Sequence, residues 1–349
     1  MTVRSMHRLT LSQALMASLC CLPLWSRAEP GVTIYGLLDA TLRYATHAGA
    51  GGHHLSGMND GAFTGSRLGL RGSEDLGGDL KAFFSLEQGL DPSAGTLTQV
   101  TPSPNYGQSA APAGRAFGRE ALIGLSAGKA GTLTLGRQYT LANVYSSRFQ
   151  PNANPNQEVL ALLVGHQLIR QDNMVKLAVE AGSFSASVSR TLGEGTNGAS
   201  WAVAGAYKAG VLDLAAYAAA MDSAGWSETR RIHGLGTAIE LTQGLKAYVG
   251  TMRRRDRVSG QANDVWVAAL SYAAGSFVYT LSGGEDRQRR VFEGSRQLGW
   301  LHLDYLLSRR TDVYAVIDAN RITGAYPLPA FMTRRGLQRG AELGLRHRF

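Results

Sequence analysis

The chain has 349 residues, 44% hydrophobic and 17% charged, with a formal net charge of +9. Beyond its first 28 residues no run of about 18 apolar residues occurs, which excludes a protein that crosses a membrane with helices. The two cysteines, Cys20 and Cys21, are adjacent and near the start, which excludes a disulfide-stapled secreted domain.

Residues 1–28 read as a cleaved export signal. Arg4 and Arg8 give a basic start, Leu9–Trp25 is mostly apolar, and Ser26-Arg27-Ala28 offers small residues for cleavage. A membrane anchor fits less well, because Ser12, Gln13 and Ser18 interrupt a short apolar run. Both cysteines would leave with the signal.

Residues 29–349 read as one domain of repeated strands. In Val32–Tyr44, Val32, Ile34, Leu38 and Leu42 share one face, while Tyr35, Asp39, Thr41 and Arg43 share the other. Successive side chains on a strand point to opposite sides, so this is a two-residue alternation. A Gly- and His-bearing loop, 45–62, follows. Residues 63–90 then form a hairpin: Leu68 and Leu70 oppose Arg67 and Arg71, and Gly77-Gly78 makes the turn. After the Pro- and Ser-rich loop 91–115, Phe117–Ser126 and Gly131–Tyr139 make a second hairpin. Tyr139–Gln167 is a long insertion with Pro151, Pro155 and the apolar piece Val159–Val164.

From there the rhythm is regular. Strand pairs are expected at 170–180 with 183–192, 199–208 with 211–220, 230–241 with 245–254, 263–273 with 276–286, and 297–307 with 311–322. Short turns alternate with longer polar connections. A last strand, Ala341–Phe349, ends on an aromatic residue; Leu343, Leu345 and Phe349 oppose Glu342, Arg346 and Arg348. The first strand can pair with this one and close the sheet.

The expected fold is therefore all-β: a 16-stranded antiparallel transmembrane β-barrel, greasy outside and charged inside. Sixteen strands leave a water-filled lumen, whereas about eight would be plugged by their own side chains.

Several stretches resemble the Gram-negative trimeric porins, in particular the anion-preferring porins of β-proteobacteria. They are VTIYGLLDA (32–40), SRLGLRGSEDLGGDLKAFFSLEQG (66–89), FGREALIGLSAGKAGTLTLGRQY (117–139), RQDNMVK (170–176) and the terminal GLRHRF (344–349). The resemblance implies an outer-membrane channel for passive diffusion of small hydrophilic solutes and anions. It also implies a homotrimer and a third external loop, here 139–167, folded into the lumen as the constriction. By matching motif, Arg67, Arg119 and Arg170 are the wall arginines, facing acidic groups across the gap. On the alternation Asp39 and Arg43 also point inward. Arg137 shares parity with the outward Leu133 and Leu135, so its facing stays open. Glu158 is the sole acid between Arg137 and Asp172, so the opposing negative wall is thin.

Arginine clusters suit anion pores, because they stay charged and tolerate close neighbours. The competing role for Arg67, Arg119 and Arg170 is to pair with Asp39, Glu87 and Glu120 and brace the wall. A pore tuned to one solute, phosphate or a carboxylate, is the alternative function. A barrel enzyme is disfavoured: His302 and Asp304 share a face, but no Gly-x-Ser-x-Gly accompanies them. A structural adhesin is a further class. Nucleic acid is disfavoured because the arginines are dispersed over many strands. No cofactor or metal is expected; His53-His54 is a weak metal motif. Arg253–Arg255 with Arg257, and Arg287 with Arg289 and Arg290, fall at expected external loops. They read either as solvated charge runs or as contacts to outer-membrane lipid and lipopolysaccharide phosphates.

Overall fold

Backbone amides in hydrocarbon have no water to bond, so a sheet that meets lipid must close on itself. The computed structural model describes residues 31–100, 106, 114–153, 160–193 and 198–349. The expected export signal and Glu158 lie outside the described residues. Among them, one antiparallel sheet contains eighteen strands. In chain order these are β1 Gly31–Ala45, β2 Leu55–Asp60, β3 Arg67–Gly77, β4 Leu80–Asp91, β5 Thr96–Thr98, β6 Glu120–Ala127, β7 Thr132–Tyr139, β8 Arg170–Ala181 and β9 Phe184–Thr191. They continue with β10 Ser200–Ala209, β11 Leu212–Asp222, β12 Thr229–Thr242, β13 Leu245–Asp256, β14 Ala262–Ala274, β15 Phe277–Arg289, β16 Gly294–Leu306, β17 Thr311–Gly324 and β18 Gly336–Arg348.

Sixteen of these form the barrel wall, as expected. The other two, β2 and β5, are short flaps inside the long loops, added to β1 and β4. Nothing in the sequence pattern marked them. The ring closes where β1 meets β18, from Leu37 opposite Arg348 to Ala45 opposite Gly340. One further rung extends this seam: Gly36 and Phe349 exchange backbone hydrogen bonds of 3.0 and 3.1 Å.

The alternation holds around the ring. Leu42, Leu235, Leu281, Leu301 and Leu343 point outward and are exposed. Their neighbours Trp300, His302, Glu342 and Arg346 point inward and are buried. Near the short turns, outward Phe277, Tyr279 and Tyr305 cluster, with Phe277 and Tyr305 centroids 4.7 Å apart. Aromatic belts of this kind flank the apolar band of membrane barrels.

The buried apolar cluster lies against the inner face of the wall. Helix α1, Leu141–Ser146, starts where the Thr140 hydroxyl accepts the Asn143 N–H at 3.1 Å. A 3-10 turn, Ser147–Phe149, and a second helix, α2 Leu160–Gln167, follow. Phe149, Leu162 and Leu163 are buried against Ala206, Ala215, Ile232 and Met252, inward residues of β10 to β13. The wall makes room with small residues: a Cβ at Gly236 or Gly250 would come within 2.3 Å of the Phe149 ring. Polar ties join the same surfaces. Tyr145 bonds Ser187 at 2.9 Å, Arg148 pairs with Asp213 at 2.8 Å, and Tyr217 donates to Gln167 at 2.8 Å.

A charge on the outer face of this wall should be expensive in lipid. Leu281→Arg, mid-strand on β15, is expected to cost about 2–4 kcal/mol. Urea titration of folding into lipid vesicles measures this, and an unchanged midpoint would contradict the outward placement.

Candidate functional site

Two neighbouring sectors of the inner wall carry opposite charge character. The first spans β3 to β8 and gathers the three arginines singled out by sequence. Arg119 donates through Nε to Glu87 Oε1 at 2.6 Å and through a terminal nitrogen to the Tyr139 hydroxyl at 3.0 Å. Arg170 donates to the same hydroxyl at 2.7 Å, with its guanidinium 4.3 Å from the Tyr139 ring centroid. Arg67 approaches Glu87 Oε1 at 3.8 Å, and Tyr35 donates to Glu87 Oε2 at 3.1 Å. Arg67 and Arg119 thus share the Glu87 carboxylate, Arg119 and Arg170 share the Tyr139 hydroxyl, and three guanidiniums against Glu87 and Glu120 leave the group cationic. Glu120 lies opposite Glu87 across β4 and β6 and accepts from Ser85 at 3.0 Å. The wall-bracing alternative is therefore met in part: Glu87 does pair with Arg119 and Arg67, whereas Asp39 pairs with none of the three.

Arg137 also points inward, and a bulge explains how. The β7–β8 register shifts between Gly136 and Gln138. Gly136 has φ +122°, a backbone that L side chains rarely adopt, and a Cβ there would meet the Ala121 carbonyl oxygen at 2.2 Å. The extra residue lies on β8, where Asp172 and Asn173 face Arg137 alone and Asn173 has φ +52°. Arg137 then reaches Asp172 Oδ1 at 2.6 Å and the Gly118 carbonyl at 2.8 Å. Arg115 takes the other oxygen of Asp172 at 2.7 Å. Arg115, Arg137 and Arg170 line a cavity of about 260 Å³ next to the cluster. Sequence reasoning did not single out Tyr139, Asp172 or Arg115. The Gly136-Arg137 pair within a strand was a usable bulge signal.

The other sector spans β1 and β16 to β18. Here Arg43 does not join the arginine cluster. It lies between Asp318, at 3.1 Å, and Glu342, so its charge is answered locally. Asp39 serves a loop. Its Oδ1 accepts the Tyr314 hydroxyl at 2.6 Å, and its Oδ2 accepts the Thr64 N–H at 2.8 Å. That draws Phe63 inward onto Trp300, His302 and Tyr314, with the Arg346 guanidinium 4.0 Å from its ring centroid. Arg346 in turn pairs with Asp312 at 2.9 Å and Asp304 at 3.4 Å. This sector carries more carboxylates than arginines, and the other carries the reverse.

The Gly136 bulge makes a local prediction. Gly136→Ala should cost about 1–3 kcal/mol through the strained φ. It should also release Arg137 from Asp172, seen as faster amide exchange around 136–138. Unchanged exchange and stability would rule out a glycine-dependent bulge.

The comparisons with known proteins agree with this architecture. The family model described as Gram-negative porin matches residues 12–325. An outer membrane porin protein of Bordetella pertussis is 35% identical over 164 residues, 43% of this chain and 39% of that protein. Outer membrane porin protein 32 of Delftia acidovorans is 36% identical over 110 residues, 32% of this chain and 26% of that protein. The matched stretches thus span about two fifths or less of these relatives. Among solved structures, the anion-selective porin from Comamonas acidovorans superposes with a TM-score of 0.77 at 22% identity, covering 92% of this chain and all of that one. OmpT of Vibrio cholerae in its trimer form gives a TM-score of 0.65 at 15% identity, covering 92% of this chain and 100% of that one. With the family model matching most of its length, and with a closed wall of sixteen strands, the chain belongs to the Gram-negative porin family.

Proposed function

We propose that this chain forms a water-filled channel in the outer membrane for passive diffusion of small hydrophilic solutes, with preference for small anions. It acts as a channel, not as an enzyme. The observation that carries the anion preference is the gathering of Arg67, Arg119 and Arg170 about the Glu87 carboxylate and the Tyr139 hydroxyl. Fixed charge beside a narrow water column in a low-dielectric wall focuses its field and concentrates counter-ions. Glu87 and Tyr139 hold two of the guanidiniums in place, so their field is present before any ion arrives.

The segment 139–167 is the constriction in this reading. Its described residues pack against inner residues of β9 to β14, which favours this reading. Glu158 would be its one acid, and Arg137 with Arg115 would extend the cationic lining toward the long loops. The partners are small anions and solutes, outer-membrane lipid, and two further copies in a homotrimer. The anion-selective title of the Comamonas structure and the trimer title of the Vibrio structure favour the same assignments.

Reversal potentials across a planar bilayer in a salt gradient test the preference. Arg67→Ala should lower the anion-over-cation permeability ratio about twofold or more, and Glu87→Gln should raise it. A ratio unchanged by Arg67→Ala would sink the arginine assignment.

A further inference from the structure

Beyond the Phe63 cluster, toward the long loops, the inner wall holds a cavity of about 490 Å³. Small-molecule sites run from roughly 300 to 1,000 Å³, so it has the size of one. Four wall strands build it: β1 supplies Arg43, β16 Arg296, β17 Asn320 and β18 Gln338. The flap β2 adds Asn59 and Asp60, and the connection between β17 and β18 adds Phe331. Register sets the two wall amides side by side, with Asn320 opposite Gln338. Gln338 Nε2 donates to the Phe331 carbonyl oxygen at 3.1 Å, which ties the covering loop to the wall. Arg296 donates to Asn320 Oδ1 at 3.0 Å, and its guanidinium lies 5.3 Å from the Phe331 ring centroid.

The charges around this cavity nearly cancel. Arg43 and Arg296 stand against Asp60 on the lining, and against Asp318 and Glu342 beside Arg43. Two guanidiniums among three carboxylates make no well for an anion, in contrast to the β3–β8 sector. What the cavity offers instead is neutral hydrogen bonding. Asn59, Asn320 and Gln338 each present a carboxamide, which donates through its NH2 and accepts through its oxygen. Gln338 Oε1 is buried and receives no hydrogen bond among the described residues. A solute hydroxyl or a water would satisfy it. The Phe331 ring sets an apolar surface among these amides. The combination matches a molecule whose hydroxyls both donate and accept and whose C–H faces are apolar.

We propose that this cavity is a docking site for neutral polyhydroxylated solutes, sugars or sugar alcohols, at the long-loop mouth of the barrel. The solute's hydroxyls meet Asn59, Asp60, Asn320 and Gln338, and its C–H face meets Phe331. The proposal rests on the channel reading given above for a wet interior alone. It adds a solute class that the arginine cluster does not serve, in a separate sector of the wall.

Saturation-transfer NMR on the purified full-length barrel in deuterated detergent tests this, with glucose, sucrose and xylitol as probes. At least one of the three should give a saturable signal, and equimolar L-serine, a zwitterion of similar polarity, should not displace it. Asn59→Ala should weaken the bound polyol about threefold or more through the lost hydrogen bond. Phe331→Ala should weaken it about fivefold or more through the lost ring. No saturable signal from any of the three probes would overturn the site. Unchanged affinity in both variants would overturn its location. Displacement by L-serine would overturn the polyol assignment. Heat-dependent gel mobility reports folding of each variant, and the titrations on the unaltered protein decide even where a variant misfolds. The signal needs no conduction, so failure here is distinguishable from failure of the channel reading, which reversal potentials test.

Discussion

The structure depends on one constraint: a backbone amide facing lipid must find its partner within the sheet. An open sheet of this length would leave two edges of unpaired N–H and C=O groups, each costing several kcal/mol in hydrocarbon. The seam between β1 and β18 removes them, ending with the Gly36–Phe349 exchange. Closure then divides the medium. Each strand has one face toward lipid and the next side chain toward the interior, so greasy and charged residues must alternate. Arg67, Arg119, Arg170 and Arg346 consequently lie on the inner face of the wall.

What fills that interior distinguishes this barrel from a bare tube. Helices α1 and α2 and the 3-10 turn after α1 bring their own apolar side chains, and the wall receives them with alanines and glycines on β10 to β13. From the other side, Asp39 ties residues 61–64 down and seats Phe63 among Trp300, His302 and Tyr314. Both insertions draw space from the lumen. The charge asymmetry is built by strand placement: the arginines of one sector share few acids, while Arg43 and Arg346 of the other are each held by two carboxylates.

Much of this was legible in the amino-acid sequence, for a physical reason. The two-residue period is strong where a strand faces two contrasting media, so the sixteen wall strands and the facing of Leu301, His302, Leu343 and Arg346 could be read directly. Legibility failed where the period breaks. The β7–β8 register breaks between Gly136 and Gln138, so Leu133 and Leu135 gave no guide to Arg137. The flaps β2 and β5 are too short to show alternation. Pair partners were the other gap: that Arg43 would be neutralised by Asp318 and Glu342, or Asp172 shared by Arg115 and Arg137, depends on contacts between residues distant in sequence.

The central claim is that adjacent residues on one strand meet opposite media around a conducting water column. Thiol accessibility tests it most directly, with Arg71→Cys and its neighbour Leu70→Cys each placed on β3 in a Cys20→Ser/Cys21→Ser background. The account predicts that a membrane-impermeant anionic thiol reagent modifies the Arg71→Cys thiol and reduces single-channel current, while the Leu70→Cys thiol stays unmodified in lipid. Equal reactivity at both positions, or modification at position 71 with no change in current, would contradict it.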